Sequence, residues 1–201
     1  MLKENQRYKG NWRRFIIFTL IVGLIVGFSS VISDNLPYIA DGATTLEFII
    51  SYFAVMINSL PMWFILALLV GYVFARSFKE SALLGMIYTI VAMTFYLVIS
   101  YFYVDVPAPA FLELVVSYVS WYGNSIVGGF IGGSVGFLVK KTPYALLILF
   151  VGIIFQMFLY GTSSWGNAVG IAQNLTFCLM IVSIVFYIVI VKRKKEPNLG
   201  T

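Results

Sequence analysis

Lysine and arginine in this chain are confined to four short segments, and long apolar runs separate them. Lys3, Arg7, Lys9, Arg13 and Arg14 precede the first run. Arg76 and Lys79 lie between two later runs, Lys140 and Lys141 between two more, and Lys192 to Lys195 follow the last. The alternate gaps carry Asp34, Asp41, Glu47, Asp105 and Glu113 and no positive charge. Cytoplasmic loops retain Lys and Arg, so this distribution sets span number and orientation together. It predicts an all-α polytopic integral membrane protein of six transmembrane helices, in the cell membrane, with both termini cytoplasmic.

A helix needs about 20 mostly apolar residues to cross the hydrocarbon. Six stretches approach that length: roughly 14–33, 60–75, 80–103, 124–139, 143–162 and 168–191. They take up most of a 201-residue chain that is 61% apolar and 10% charged, which leaves no room for a soluble catalytic domain. Residues 1–201 are therefore expected to form a single transmembrane domain, with the first run a retained span rather than a cleaved leader. The net charge of +5 sits at helix ends, where topology and anionic lipid account for it. Membrane lipids are the expected partners, and nucleic acid is not.

The absences narrow the chemistry. The chain has no His, and its one Cys, Cys178, lies inside the last apolar run. Histidine-ligated haem, His-containing zinc sites and His-based triads are thereby excluded. No Asp, Glu, Lys or Arg falls deep in a predicted span, so the intramembrane carboxylate of a proton pump is missing. No catalytic residue, metal site or cofactor is expected, and the chain does not read as an enzyme.

An internal repeat organises the spans. LEFIISYFAVMINS (Leu46 to Ser59) returns 66 residues later as LELVVSYVSWYGNS (Leu112 to Ser125). SSWGNAVG (Ser163 to Gly170) echoes WYGNSIVGG (Trp121 to Gly129), and ALLGMIYTIVAMTF (Ala82 to Phe95) parallels ALLILFVGIIFQMF (Ala145 to Phe158). The unit is an ascending helix, an outer linker and a descending helix, and three such hairpins fill the chain. Unbroken helices over 46–75 and 112–139 would run about 42–45 Å at 1.5 Å per residue, against about 30 Å of hydrocarbon. A break is expected at each Asn-Ser, Asn58-Ser59 ahead of Pro61 and Asn124-Ser125 after Gly123. Leu46–Ile57 and Phe111–Trp121 then become short outer helices.

Glycine spacing marks contact faces. Gly23 and Gly27 form one GxxxG, and Gly128/Gly132, Gly129/Gly133 and Gly132/Gly136 form three more. Such faces let another backbone approach closely, either a neighbouring helix of the chain or a partner. The uncharged polar groups gather towards the outer half: Gln156 in the fifth span, Gln173 and Asn174 in the sixth, and Asn58, Asn124 and Asn167 at descending starts. An amide in hydrocarbon needs a hydrogen-bond partner. Each either caps or clamps a helix or contacts a ligand. Trp121 and Trp165 precede the repeated Gly-Asn and offer an apolar wall beside them. The candidate ligand-binding set is Gln156, Gln173, Asn174, Trp121, Trp165 and Asn124, facing one outward-opening cavity between the later helices.

Six helices in about 200 residues, both ends inside and polar groups near the outer face, resemble the substrate-binding S subunits of energy-coupling-factor importers. That resemblance is architectural. It implies capture of a vitamin or metal from outside, and docking on a coupling subunit through small residues of the first helix, here Gly23 and Gly27. Signatures for riboflavin, thiamine, biotin or histidine-rich metal sites are not found. The stretches Asn58 to Phe102 and Val127 to Lys141 also look like an uncharacterised family of short bacterial polytopic proteins. The pattern is a span start running from Ser59 to Trp63, a basic turn, an Ala-x-x-Gly helix ending in Tyr and a Gly-rich helix; it implies no activity.

The expectation is a small-molecule-binding subunit of a transport system with an outward-facing site. The alternative is a non-transporting accessory, immunity-type or sensor protein acting through a partner such as an exporter subunit.

Overall fold

The computed structural model describes residues 2–35, 44–103 and 111–195. Every regular element in them is helical: α1 (Leu2–Asn35), α2 (Thr45–Ile57), α3 (Leu60–Phe74), α4 (Phe78–Tyr103), α5 (Phe111–Val139), α6 (Leu147–Tyr160) and α7 (Ala168–Lys195). Two 3-10 turns, Pro143–Leu146 and Gly161–Trp165, flank α6. Five segments are long and apolar enough to cross a bilayer: Asn11–Asn35, Phe78–Tyr103, Leu112–Val139, Pro143–Trp165 and Ala168–Lys192. Taken together as one broken span, α2 and α3, bent by 59°, make the sixth. The protein is a multi-pass membrane protein. Asp41 and Asp105 lie outside the described residues.

The bend between α2 and α3 has a local cause. Pro61 has no N–H to give the carbonyl of Ile57, and its ring would collide with it. Ser59 leaves the helix with φ −78° and ψ 146°, and its hydroxyl oxygen accepts from Met62 N at 3.3 Å. The same hydroxyl donates to the Met56 carbonyl at 2.6 Å, which closes α2 from behind. At the other repeat copy the expected break is absent. Helix α5 runs unbroken for 29 residues through Gly123, Asn124 and Ser125. The position matching Pro61 is Val127, which keeps its N–H, and one interior glycine costs only about 1 kcal/mol. Phe111–Trp121 is therefore the first part of α5 and not a separate outer helix.

Helix α5 packs against both α3 and α4, and its glycines explain how. Gly129 and Gly133 lie against α4, where an added methyl would meet Gly85 O at 2.6 Å or Gly85 Cα at 3.1 Å. Gly132 and Gly136 turn to α3, at 2.8 Å from Ala67 Cβ and 2.8 Å from Tyr72 N. Ser81 donates to the Gly133 carbonyl, and Thr89 donates to the Ser125 carbonyl at 2.7 Å. Small residues and hydroxyls thus hold α3, α4 and α5 together where apolar burial gives little drive between helices. Gly27 does the same for α1, with Tyr96 N only 2.7 Å from the position of an added methyl. Gly23 also faces α4, at an ordinary 3.5 Å from Ala92. The docking face suggested by Gly23 and Gly27 is therefore used inside the molecule.

Of the three hairpins in chain order, the second packs its arms, α4 and α5, along their length. In the first, α1 lies on α4 and meets α3 mainly where Phe15 and Phe18 contact Phe74. Helices α6 and α7 are the least buried and pack against α2 and α3 through Met56, Leu149, Ile153, Phe177 and Ile184. One end of the bundle collects the basic residues. Lys140 Nζ donates to Ala75 O at 2.6 Å, capping α3, and sits over the rings of Tyr72 and Phe137. Partial burial lowers the Lys140 pKa, and nearby Glu80 opposes that shift.

Candidate functional site

The opposite end holds a cavity of about 720 Å³ between α1, α3, α4, α5 and α6. That is within the roughly 300–1,000 Å³ typical of small-molecule sites. Its wall is mostly apolar, with Leu60, Phe64, Met93, Ile131 and Leu159. Four further aromatic rings line it, those of Trp63, Tyr96, Trp121 and Tyr160, and the Tyr96 and Trp121 rings lie 6.3 Å apart. The polar groups are Ser30, Asp34, Asn58, Thr89, Asn124 and Gln156, with Ser125 beside them.

Each polar group is placed by a helix end or a seam. Asp34 ends α1 and accepts from Asn58 Nδ2 at 2.8 Å and from the Tyr96 hydroxyl at 2.8 Å. That trio ties α1, the α2–α3 bend and α4 together at the cavity rim. Gln156, only 2% exposed, accepts from Leu60 N at 2.7 Å. It thereby satisfies the first unpaired N–H of α3 from across the bundle. An N–H donor identifies the accepting atom as Oε1, so the Nε2 donor is the other end of this amide. Asn124 is exposed on α5 and lines the cavity, and its side chain makes no hydrogen bond to another described residue. Ser30, one turn below Asp34 on the same face of α1, is buried, and its hydroxyl has no partner among the described residues. Gly128 also lines the cavity, and a methyl added there would meet nothing within 4 Å.

The structure brings Gln156, Asn124 and Trp121 together from the sequence-derived set. It places Gln173, Asn174 and Trp165 elsewhere. Gln173 Nε2 donates to Val55 O at 3.3 Å, which fastens α7 to α2. Asn174 Nδ2 donates to Ser164 Oγ at 2.9 Å, which fastens the 3-10 turn after α6 to α7. Trp165 is half exposed on that turn and does not line the cavity. The cavity accordingly lies among the earlier helices and α6, not between the later ones. Of the three repeated asparagines only Asn167 caps a helix with its side chain, Oδ1 accepting from Gly170 N at 2.8 Å. Asn58 bonds Asp34 instead, and Asn124 is interior to α5.

Sequence reasoning passed over Asp34 and Ser30. Their i, i+4 spacing at the end of the first span was the available signal. Trp63, Tyr96 and Tyr160 carry no signal in the sequence beyond that of aromatic residues near a membrane interface. Comparison with known proteins adds no identity: no protein-family model matches the chain, and no curated protein or solved structure matches it significantly. Nothing in these comparisons ties the chain to the importer S subunits.

Proposed function

We propose that the protein binds a small molecule in this cavity, as the substrate-capturing subunit of a transport system, without itself being an enzyme. The carrying observation is the cavity of about 720 Å³, ringed by Trp and Tyr side chains and edged by Asp34, Asn124 and Gln156. Apolar walls with a few fixed polar groups are what an amphipathic ligand requires. The orientation follows from charge. The basic end, holding Arg76 and Lys140, faces the cytoplasm by the positive-inside rule, so both termini are cytoplasmic and the cavity opens outward.

One observation favours the accessory alternative. Beyond the level of Tyr96 and Trp121, α4 and α5 present Tyr101, Phe102, Leu112 and Val119 without cover from the described residues. Aromatic residues at that level also suit the lipid interface, so the cavity carries more weight.

The test is an organic extract of protein purified in mild detergent, compared with Gly128→Trp. That substitution fills the cavity without striking a neighbour near Cβ. A compound released by the native protein and absent from the folded variant supports binding. Identical extracts from both would remove the cavity from consideration.

A further inference from the structure

Resting on that reading, we infer that the cavity selects a lipophilic organic cation: a monovalent positive group carried on an apolar or aromatic body. Asp34 is the one ionisable carboxyl among the lining residues, and no Lys or Arg lines the cavity with it. The two hydrogen bonds it accepts come from neutral donors, Asn58 and Tyr96. Both donors are neutral, so neither offsets the charge of the carboxylate. The stretches 34–59 and 104–123 contain Asp34, Asp41, Glu47, Asp105 and Glu113 and not one Lys or Arg.

The positive-inside rule accounts for the missing Lys and Arg there. It gives no reason for five acids. A cavity whose charged lining group is negative attracts ligands of the other sign.

The walls select further. Trp63, Trp121, Tyr96 and Tyr160 line the same space as the carboxylate. Ring faces attract a weakly hydrated cation, and more so away from water. A small, strongly hydrated inorganic ion is less suited, because Leu60, Met93, Ile131 and Leu159 cannot replace its water shell. Ser30 adds a polar group on the same wall that the described residues leave unsatisfied. It is 1% exposed, lines this cavity and leaves its hydroxyl unpartnered among the described residues. A buried hydroxyl left unpaired is costly. An occupant beside Asp34 would be within one helical turn of it.

Three probes of similar shape separate charge selection from plain binding: tetraphenylphosphonium, neutral triphenylphosphine oxide and tetraphenylborate. Equilibrium dialysis on the full chain in lipid nanodiscs, with Gly128→Trp subtracting partition into lipid, measures each. The expected result is saturable phosphonium binding at least about tenfold tighter than the oxide, and no saturable borate binding. Asp34→Asn should bring phosphonium to about the level of the oxide and leave the oxide unchanged, which also reports an intact cavity. Equal affinity for phosphonium and oxide in the native protein overturns the cation inference and leaves the binding site standing. Absence of saturable binding by all three overturns both. If Asp34→Asn does not fold, selectivity among the probes in the native protein still decides.

Discussion

Gly128 and Gly133 lie five residues apart on α5, and the same substitution should move stability in opposite directions at the two. At Gly133 an added methyl is driven into the Ser81 carbonyl oxygen, with Gly85 Cα at 3.1 Å on the same side. Both neighbours are backbone of α4, so relief requires the helices to separate. Separation weakens the Ser81–Gly133 and Thr89–Ser125 hydrogen bonds as well. Overpacking of this kind costs about 1–3 kcal/mol. The intrinsic helix preference of Ala returns up to about 1 kcal/mol. With the bonds loosened, the net expectation for Gly133→Ala is a loss of roughly 2 kcal/mol. At Gly128 nothing lies within 4 Å, so only the helix preference remains and Gly128→Ala should gain roughly 0.5–1 kcal/mol. Reversible unfolding in mixed micelles, followed by helical circular dichroism, measures both. Gly85→Ala meets the same seam, at 2.8 Å from Gly133 Cα, so the double variant with Gly133→Ala should lose less than the sum of the singles. A Gly133→Ala protein as stable as the native one would refute the close α4–α5 seam.

Gln156→Leu should destabilise the bundle by about 1–3 kcal/mol, because it leaves Leu60 N–H unpaired at the start of α3; unfolding midpoints check this, and an unchanged midpoint would mean that the cap is dispensable. Asn174→Ala should speed proteolysis within residues 161–165 while leaving ligand binding unaltered, since its amide holds Ser164 and does not line the cavity. Limited digestion followed by mass spectrometry reads out the first, and the phosphonium assay the second.

Most of the fold was legible because lipid imposes simple rules. Length and apolar content marked the spans, charge marked their ends, and the glycine spacing on α5 marked its contact faces. The repeat misled where one residue outweighed overall similarity. Asn-Ser occurs in both copies, yet Pro61 breaks one helix and Val127 continues the other. The site was half legible. Depth in a span correctly flagged Gln156 as a buried amide in need of a partner, but depth carries no azimuth. Gln173 and Asn174 lie at suitable depths and turn to α2 and the 3-10 turn instead. Asp34 was hidden for the opposite reason. It sits exposed at a span end, where an acid shows no sign in the sequence of the asparagine and tyrosine from distant helices that bond it at the cavity rim.

An outward-opening cavity with a negative rim is the central claim, and Gly128 offers a direct way into it. In a Cys178→Ser background, Gly128→Cys introduces one thiol where nothing crowds an added Cβ. Its reaction with membrane-impermeant methanethiosulfonates should be followed in sealed right-side-out and inside-out vesicles, with a trimethylammonium reagent and a sulfonate reagent compared. The account predicts labelling from the outer side only, faster with the trimethylammonium reagent, and slowed by tetraphenylphosphonium. Labelling from the cytoplasmic side, or a faster reaction with the sulfonate, would contradict it.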